Sequence, residues 1–231
     1  MALPILKLRD VIILEENPNG ESSTARFEWI LDKASTERTN FDWITVDGSG
    51  IAGEDYYAAN ESVSISPGIL DGFFEVEIIS DDIQELDEDF TVSLSNPNFL
   101  TFFSDTAKAT ITDNDEAGIT LTSENNLETS ERGGSDTFQL VLNSQPTADV
   151  SIGLSVSDST EGRLSTNNVL FTSNNWNQVQ TIKVIGVDDI QRDGDTAYSI
   201  ITSNSSSEDP YYSDLEINDI GSIYINRGPG S

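Results

Sequence analysis

The 231-residue chain contains neither cysteine nor histidine. Without cysteine no disulfide framework can form, and the redox compartment is left open. Without either residue zinc loses its usual ligands, and thiol and histidine-based catalysis, the Ser-His-Asp arrangement included, is excluded. Bases are scarce: 11 stand against 41 acids, for a formal net charge of −30. Six bases against 25 acids precede Ala117, giving −19, and five against 16 follow, giving −11. That balance argues against nucleic acid, which needs a basic footprint, and against direct binding to anionic lipid. Cations or basic partners remain, beside the plainer reading of a soluble or salt-adapted surface. Long apolar runs are missing too. The longest near the start, VIIL at Val11–Leu14, is too short for a signal-peptide core or a membrane span. The chain is therefore expected to carry no signal peptide and no transmembrane segment. It reads as a piece of a larger exported protein, extracellular or at the cell surface, with RGPGS at the end as an appended tail.

What is present is β-forming. Hydrophobic residues make up 36% of the chain, and short alternating runs are separated by turn signals such as NPNG, DGSG and SNPN. Strands are expected at Lys7–Leu14, Thr24–Leu31, Phe41–Val46, Phe73–Ile79, Phe90–Leu94 and Ala107–Thr112. In Phe73–Ile79, Phe74, Val76 and Ile78 share one face and Glu75 and Glu77 the other, as on a half-buried antiparallel strand. No helical period persists. After TITDNDEAG the pattern restarts, with strands expected at Ile119–Thr122, Asp136–Leu142, Val150–Val156, Val169–Phe171, Val179–Val187, Thr196–Thr202 and Ser222–Ile225. The tetrapeptide DDIQ occurs at Asp81–Gln84 and again at Asp188–Gln191, each time after an aliphatic strand and before an acidic turn. The shared context predicts a duplicated unit of about a hundred residues, the size of a seven-strand sandwich. The expected domains are 1–116 and 117–231.

The acids cluster. Six carboxylates fall in the nine residues Asp81–Asp89, with no base among them. Glu15-Glu16 follow the first strand, Glu54-Asp55 sit in AGEDYY, and Asp113 and Asp115 end the last strand of the first unit. Loops gathered at one end of a sandwich would bring such clusters together. Calcium takes roughly 6–8 oxygens at about 2.3–2.6 Å in adaptable geometry, whereas magnesium demands a tighter octahedron and sheds water reluctantly. Neither DDIQEL nor DDIQRDGD fits an EF-hand loop. Each cluster alone reads as a solvated turn; four in one unit read as a cation site. Without the cation the carboxylates would repel one another, raise some of their pKa values and loosen the loops.

DGSGIAGEDYY (47–57), IISDDIQELDEDFTVSLSNP (78–97) and ATITDNDEAGI (109–119) resemble, in order, the signatures of a Calx-β domain. The resemblance covers nearly all of residues 3–118 and implies an all-β, Greek-key, immunoglobulin-like sandwich. It further implies calcium at the end where the acidic loops and the last strand's tail converge. Carried over by position, the ligands would be Glu16, Asp55, Asp81, Asp82, Glu85, Glu88, Asp113 and Asp115, holding one to three ions. Ser80 stands where an acid can occur, and Asn114 interrupts the final acidic run.

The second unit resembles the family more loosely, and its bacterial members best, through SERGGSDTFQLVLNSQPTADVSI and NWNQVQTIKVIGVDDIQRDGD. Its candidate ligands are Glu131, Asp158, Asp188, Asp189, Asp193 and Asp195. Aligning DDIQ puts Arg192 opposite Glu85, and the chain ends without an Asp-x-Asp tail, so this unit is expected to bind calcium weakly or not at all. Trp29, Trp43 and Trp176 are expected in the core or at its rim, and Tyr56-Tyr57 and Tyr211-Tyr212 in packing. A glycosidase carboxylate pair needs a deep cleft, which nothing here is long enough to build. The expected role is a non-catalytic, calcium-binding tandem sandwich giving calcium-dependent rigidity, adhesion or spacing. Calcium would lock the inter-unit angle, because Asp113 and Asp115 lie at the junction in sequence. Neighbouring repeats, a surface protein or a polysaccharide would be partners. The alternatives are a calcium-independent scaffold and a polysaccharide-binding accessory module of a hydrolase.

Overall fold

A computed structural model describes residues 2–16, 20–123, 127–130, 132–188 and 196–225, the last four by backbone alone. Every regular element among these residues is a strand. The chain forms two compact units, Met1–Asp81 with Glu85–Asn114, and Asp82–Gln84 with Asp115–Ser231.

The first unit contains β1 (Ile5–Leu8), β2 (Val11–Leu14), β3 (Thr24–Leu31), β4 (Thr39–Asp47), β5 (Asn60–Ile65), β6 (Asp71–Glu77), β7 (Glu88–Asn98), β8 (Thr101–Phe102) and β9 (Thr106–Thr112). They make two sheets, β6-β3-β1-β8 and β2-β9-β7-β4-β5. Alternation in β3 sends Ala25, Phe27, Trp29 and Leu31 inward and leaves Arg26, Glu28 and Ile30 outside. Phe41, Trp43, Phe90 and Val92 enter the same core from the other sheet. Aromatic rings hold its centre: Trp43 stacks on Phe74 at 4.3 Å between centroids, and Tyr56 on Phe90 at 4.1 Å. Such pairs add stability beyond the area they bury.

The segment expected as one strand, Lys7–Leu14, is two. β1 pairs with β3 in the first sheet, then the chain crosses at Arg9-Asp10 so that β2 pairs with β9, in parallel, in the second. Asp10 secures the crossing by accepting the backbone N–H of Lys108 at 2.8 Å. Asn96-Pro97, expected as a turn, is instead a bulge inside β7. Asn40 pairs with Asn98 but Asp42 with Ser95, so two residues of β7 face one of β4. Asn96 takes the left-handed φ of 50° that asparagine tolerates, and proline, lacking an N–H, fits the unpaired position. β5 and β8 were not expected. Their apolar residues are too few to alternate, and they form by pairing at sheet edges.

The second unit contains β10 (Ile119–Ser123), β11 (Leu127–Ser130), β12 (Ser135–Leu142), β13 (Val150–Val156), β14 (Gly162–Leu164), β15 (Asn168–Phe171), β16 (Gln180–Gly186), β17 (Thr196–Thr202) and β18 (Ile220–Ile225). Its sheets run β10-β12-β16-β14 and β11-β18-β17-β13-β15. The five-stranded sheet repeats the order of the first unit's, including the parallel pairing of β11 with β18. Both units are therefore immunoglobulin-like Greek-key sandwiches, with nine strands rather than about seven because the first strand is split and a short edge strand is added. Trp29 and Trp43 lie in the first core, and Trp176 is half-buried against the second.

Strand register aligns the units and corrects the alignment made on DDIQ. Phe27 pairs with Phe74 and Phe138 with Ile182; Trp43 pairs with Leu94 and Leu154 with Thr202. The N–H of Ile78 reaches the carbonyl of Ser23, and that of Gly186 the carbonyl of Gly134. The second member of each correspondence stands 108 positions after the first (74 to 182, 94 to 202, 78 to 186), whereas the DDIQ copies stand 107 apart (81 to 188). Asp188 thus answers to Ser80. Arg192, which the tetrapeptide sets opposite Glu85, lies outside the described residues.

Replacing Phe90, fully buried between Tyr56 and Phe27, by alanine is expected to cost about 3–5 kcal/mol. Urea denaturation followed by near-ultraviolet circular dichroism checks this.

Candidate metal centre

The parallel pairing of β2 with β9 builds one wall of the site. Leu14 lies opposite Thr112, and the N–H of Glu15 extends the ladder to the carbonyl of Thr112 at 3.0 Å. Glu15 and Asp113 therefore leave the sheet side by side, with carboxylate oxygens within 4.8 Å of each other. The other wall comes from three segments. Asp55 sits in the loop after β4, Glu85 in the loop before β7, and Glu88 on the first residue of β7; their carboxylate oxygens also lie within 4.8 Å of one another. All five acids line one cavity of about 10 Å3, together with Ile111 and Leu86. That is room for about one water-sized body.

Backbone donors hold the acids in place. The N–H of Asp81 donates to Glu15 Oε1 at 2.9 Å, that of Glu85 to Asp113 Oδ2 at 3.0 Å, and that of Ile51 to Asp55 Oδ2 at 2.6 Å. The carbonyl of Asp55 accepts from Ile79 at 2.9 Å. Behind the loop the buried Tyr56 donates its hydroxyl to Asp47 at 2.5 Å; burial first, then the hydrogen bond and charge of Asp47, push the phenol up. That bond, first, and the N–H of Ala52 hold Asp47 below the usual carboxylate range.

The site's own carboxyls move the other way. Burial, then the hydrogen bond and charge of Asp55, then the charges of Glu85 and Glu15, push Glu88 from 4.5 up to about 8. Glu85 is raised by burial and then by the charges of Asp81, Asp55, Asp113 and Glu54. Carboxylates crowded in this way, with no base lining the cavity, are short of positive charge. The donor set is all oxygen and anionic, which fits a hard divalent cation and not a soft metal.

Of the expected residues, the structure brings Asp55, Glu85, Glu88 and Asp113 together. It adds Glu15 and leaves Glu16 aside. Glu15 is 8% exposed and lines the cavity, while Glu16 is bonded through its backbone N–H to Asn114 Oδ1 at 3.0 Å. The alternation of β2 carried one residue further points Glu15 inward, which is the signal that could have found it. Asp81 is exposed and contributes its N–H and its field; Asp82 and Asp115 belong to the body of the second unit. Asp89 is half-buried and paired with Lys108 at 2.6 Å, whereas Asp87 is exposed.

In the second unit Glu131, Asp189, Asp193 and Asp195 lie outside the described residues. Asp188 is exposed. Asp158 caps its own turn, accepting the N–H and hydroxyl of Thr160 at 2.9 and 2.6 Å, and the hydroxyl bond chiefly holds it below the usual range. The counterpart of Asp55 is instead Glu161. Its carbonyl accepts from Val187 at 3.0 Å, just as Asp55 accepts from Ile79, and it is 5% exposed. The position of Glu88 is taken by Thr196. Among the described residues this unit by itself holds no group of three acids with converging oxygens.

An all-β sandwich with an acidic pocket at one end defines the class, and comparison with known proteins narrows it. Residues 20–117 match the Calx-beta domain. The sodium/calcium exchanger Calx of Drosophila melanogaster is 35% identical over 92 residues, 39% of this chain and 10% of that protein. Human sodium/calcium exchanger 3 is 49% identical over 55 residues, 24% of this chain and 6% of that protein. The chain thus spans about a tenth or less of these relatives. Among solved structures, calcium binding domain CBD12 of CALX1.1 shares 18% identity with a TM-score of 0.49, over 93% of this chain and 82% of that one. The apo-form Calx CBD1 domain shares 24% with a TM-score of 0.42, over 49% and 100%.

The raised carboxyl sets a pH dependence. Glu88 holds its proton to about 8 when folded and to about 4.5 when unfolded, so its contribution to stability is complete below 4.5 and lost as pH rises through 8. In chelator, the melting temperature of the first unit is expected to fall between pH 5 and 8.5, and Glu88→Gln to flatten that fall. Differential scanning calorimetry at fixed ionic strength is the measurement.

Proposed function

We propose that the chain is a pair of Calx-β sandwiches in tandem within a larger protein. Its first unit binds calcium through Glu15, Asp55, Glu85, Glu88 and Asp113, and catalysis is no part of its role. The observation that carries the reading is the single one-ion cavity lined by five carboxylates, one of them pushed up to about 8 by its surroundings. A bound divalent cation would supply the missing positive charge. The residues of this chain do the rest: the ladder between β2 and β9 fixes two ligands, and the N–H groups of Asp81, Glu85 and Ile51 orient three carboxylates. The four segments that carry these acids repel one another without the ion and are drawn together with it, giving calcium-dependent rigidity to this end of the sandwich. Adhesion or spacing between neighbouring modules is the finer part of the proposal. The exchangers similar to the first unit are calcium-handling proteins by name, which supports the choice of ion. They lend nothing to a surface or secreted location, so the proposed role does not depend on one.

The second unit is assigned weak calcium binding or none. What supports this is Thr196 in place of Glu88; Arg192 lies outside the described residues.

Calcium is expected to raise the melting temperature of the first unit relative to chelator. The stabilisation is about 2.7 kcal/mol when free calcium is a hundred times the Kd. The double variant Glu85→Ala, Asp113→Ala should lose the shift, and an unchanged melt of the native chain would favour the calcium-independent scaffold. Calorimetric titration of the same double variant should find no micromolar calcium site in the rest of the chain; finding one would overturn the assignment to the second unit.

A further inference from the structure

Two of the five acids in the cavity, Asp55 and Glu88, are hydrogen-bonded to each other but come from different segments, the loop after β4 and the first residue of β7. In their ionised form the two repel, so a contact outside the cavity has to hold the segments together. Asp47 and Tyr56 make such a contact without lining the cavity themselves. Asp47 ends β4, opposite Phe90 of β7. Its Oδ1 accepts twice, from the Tyr56 hydroxyl at 2.5 Å and from the Ala52 N–H at 3.0 Å. The loop is thereby closed on itself from residue 47 to residue 56. The N–H of Gly53 closes it further, donating to the Tyr56 carbonyl at 2.8 Å. On either side of Tyr56 the backbone is tied to β6 and its end: Tyr57 donates to Glu77 at 3.0 Å, and Asp55 accepts from Ile79 at 2.9 Å.

Glu88 is reached from the same turn. The N–H of Gly50 donates to the carbonyl of Asp89 at 2.9 Å, and the N–H of Asp89 donates to the Ser49 hydroxyl at 2.9 Å. A β-carbon on Gly48 would stand 2.4 Å from the Asp89 carbonyl oxygen, so glycine is what lets the turn lie this close to β7. From the core side the fully buried Tyr56 lies on Phe90, two residues after Glu88, with 4.1 Å between centroids and 18° between planes. One side chain therefore reaches both acid-bearing segments, by its hydroxyl through Asp47 and by its ring through Phe90. A buried phenol must find some acceptor. Here the acceptor is a carboxylate that also holds the N–H of Ala52 and ends the strand paired with β7. Calcium ligands stand at about 2.3–2.6 Å from the ion, and loss of an outer partner that fixes such ligands typically weakens metal affinity about 10–100-fold.

We propose, resting on the calcium reading of the cavity, that Tyr56 and Asp47 are positioning residues: their hydrogen bond holds Asp55 and Glu88 where a single bound ion can be shared between them. The test is calorimetric calcium titration of the whole chain, with amide hydrogen exchange in chelator as a readout free of the ion. Tyr56→Phe keeps the ring on Phe90, and Asp47→Ala removes the acceptor; each is expected to raise the Kd about 10–100-fold. The double variant should lose no more than either alone, because the same bond is missing in all three. Asp47→Asn, which keeps the acceptor oxygen, should retain most of the affinity. Ile65 is buried at the end of β5, opposite Thr39 and so at the other end of β4 from Asp47. Ile65→Ala should lower the melting temperature and leave the Kd in place, which separates positioning from general stability. In chelator the amides of Gly53 and Ile79 should exchange faster in Tyr56→Phe than in the native chain. A native Kd in Tyr56→Phe, additive losses in the double variant, or unchanged exchange would each overturn the assignment. So would an Asp47→Asn as weak as Asp47→Ala, or an Ile65→Ala as weak as Tyr56→Phe. A native chain that takes up no calcium would overturn the calcium reading and this one with it, whereas a native Kd in Tyr56→Phe would overturn this one alone.

Discussion

Carboxylates forced together at one end of the sandwich are the constraint on which the first unit depends. Glu15, Asp55, Glu85, Glu88 and Asp113 share a space of about 10 Å3, and each would be more stable apart from the others. What keeps them together is a sheet and three loops whose backbone groups are already committed. The ladder continued from Leu14 and Thr112 fixes Glu15 and Asp113. The N–H groups of Asp81, Glu85 and Ile51 leave three carboxylates little freedom to turn away. The strain is visible in Glu88, which retains a proton at a pH where a free glutamate has long lost it.

The rest of the sandwich supports that end. Tyr56 belongs both to the core, where it stacks on Phe90, and to the loop, where it donates to Asp47. It ties the position of Asp55, one residue away, to the packing of the two sheets. The crossing at Arg9-Asp10 moves the chain from one sheet to the other, and without it Glu15 would emerge beside β3 and not beside Asp113. The acidic pocket is thus a consequence of how the first strand is divided.

The duplicated topology shows how far such a site survives repetition. Both units keep the same five-strand order and the parallel first-to-last pairing. The second unit keeps a buried acid, Glu161, where the first has Asp55, but places Thr196 where the first has Glu88. The hydrogen-bond register decides these equivalences. A four-residue match such as DDIQ can slide by one position at no cost, whereas a slip in a ladder turns every side chain of the strand to the wrong face.

By itself the sequence determined the all-β class, the two units, most strands and the end of the sandwich where acids gather. Alternation of apolar and polar residues and runs of like charge are local properties, and local properties are legible along a chain. Asp55, Glu85, Glu88 and Asp113, which the resemblance implied as ligands, are four of the five acids that line the cavity. Only the tertiary structure decided that Glu15 and not Glu16 lines the cavity, that Asn96-Pro97 bulges and does not turn, and that Asp188 answers to Ser80 and not to Asp81. Each of these depends on pairing between segments far apart in sequence: β2 with β9, β4 with β7, β12 with β16. The packing of Trp29 belongs with them, because its ring fits into the core over Gly72, the residue that faces it on the neighbouring strand. Pairing sets direction and register, and these alone determine which of two adjacent residues points where.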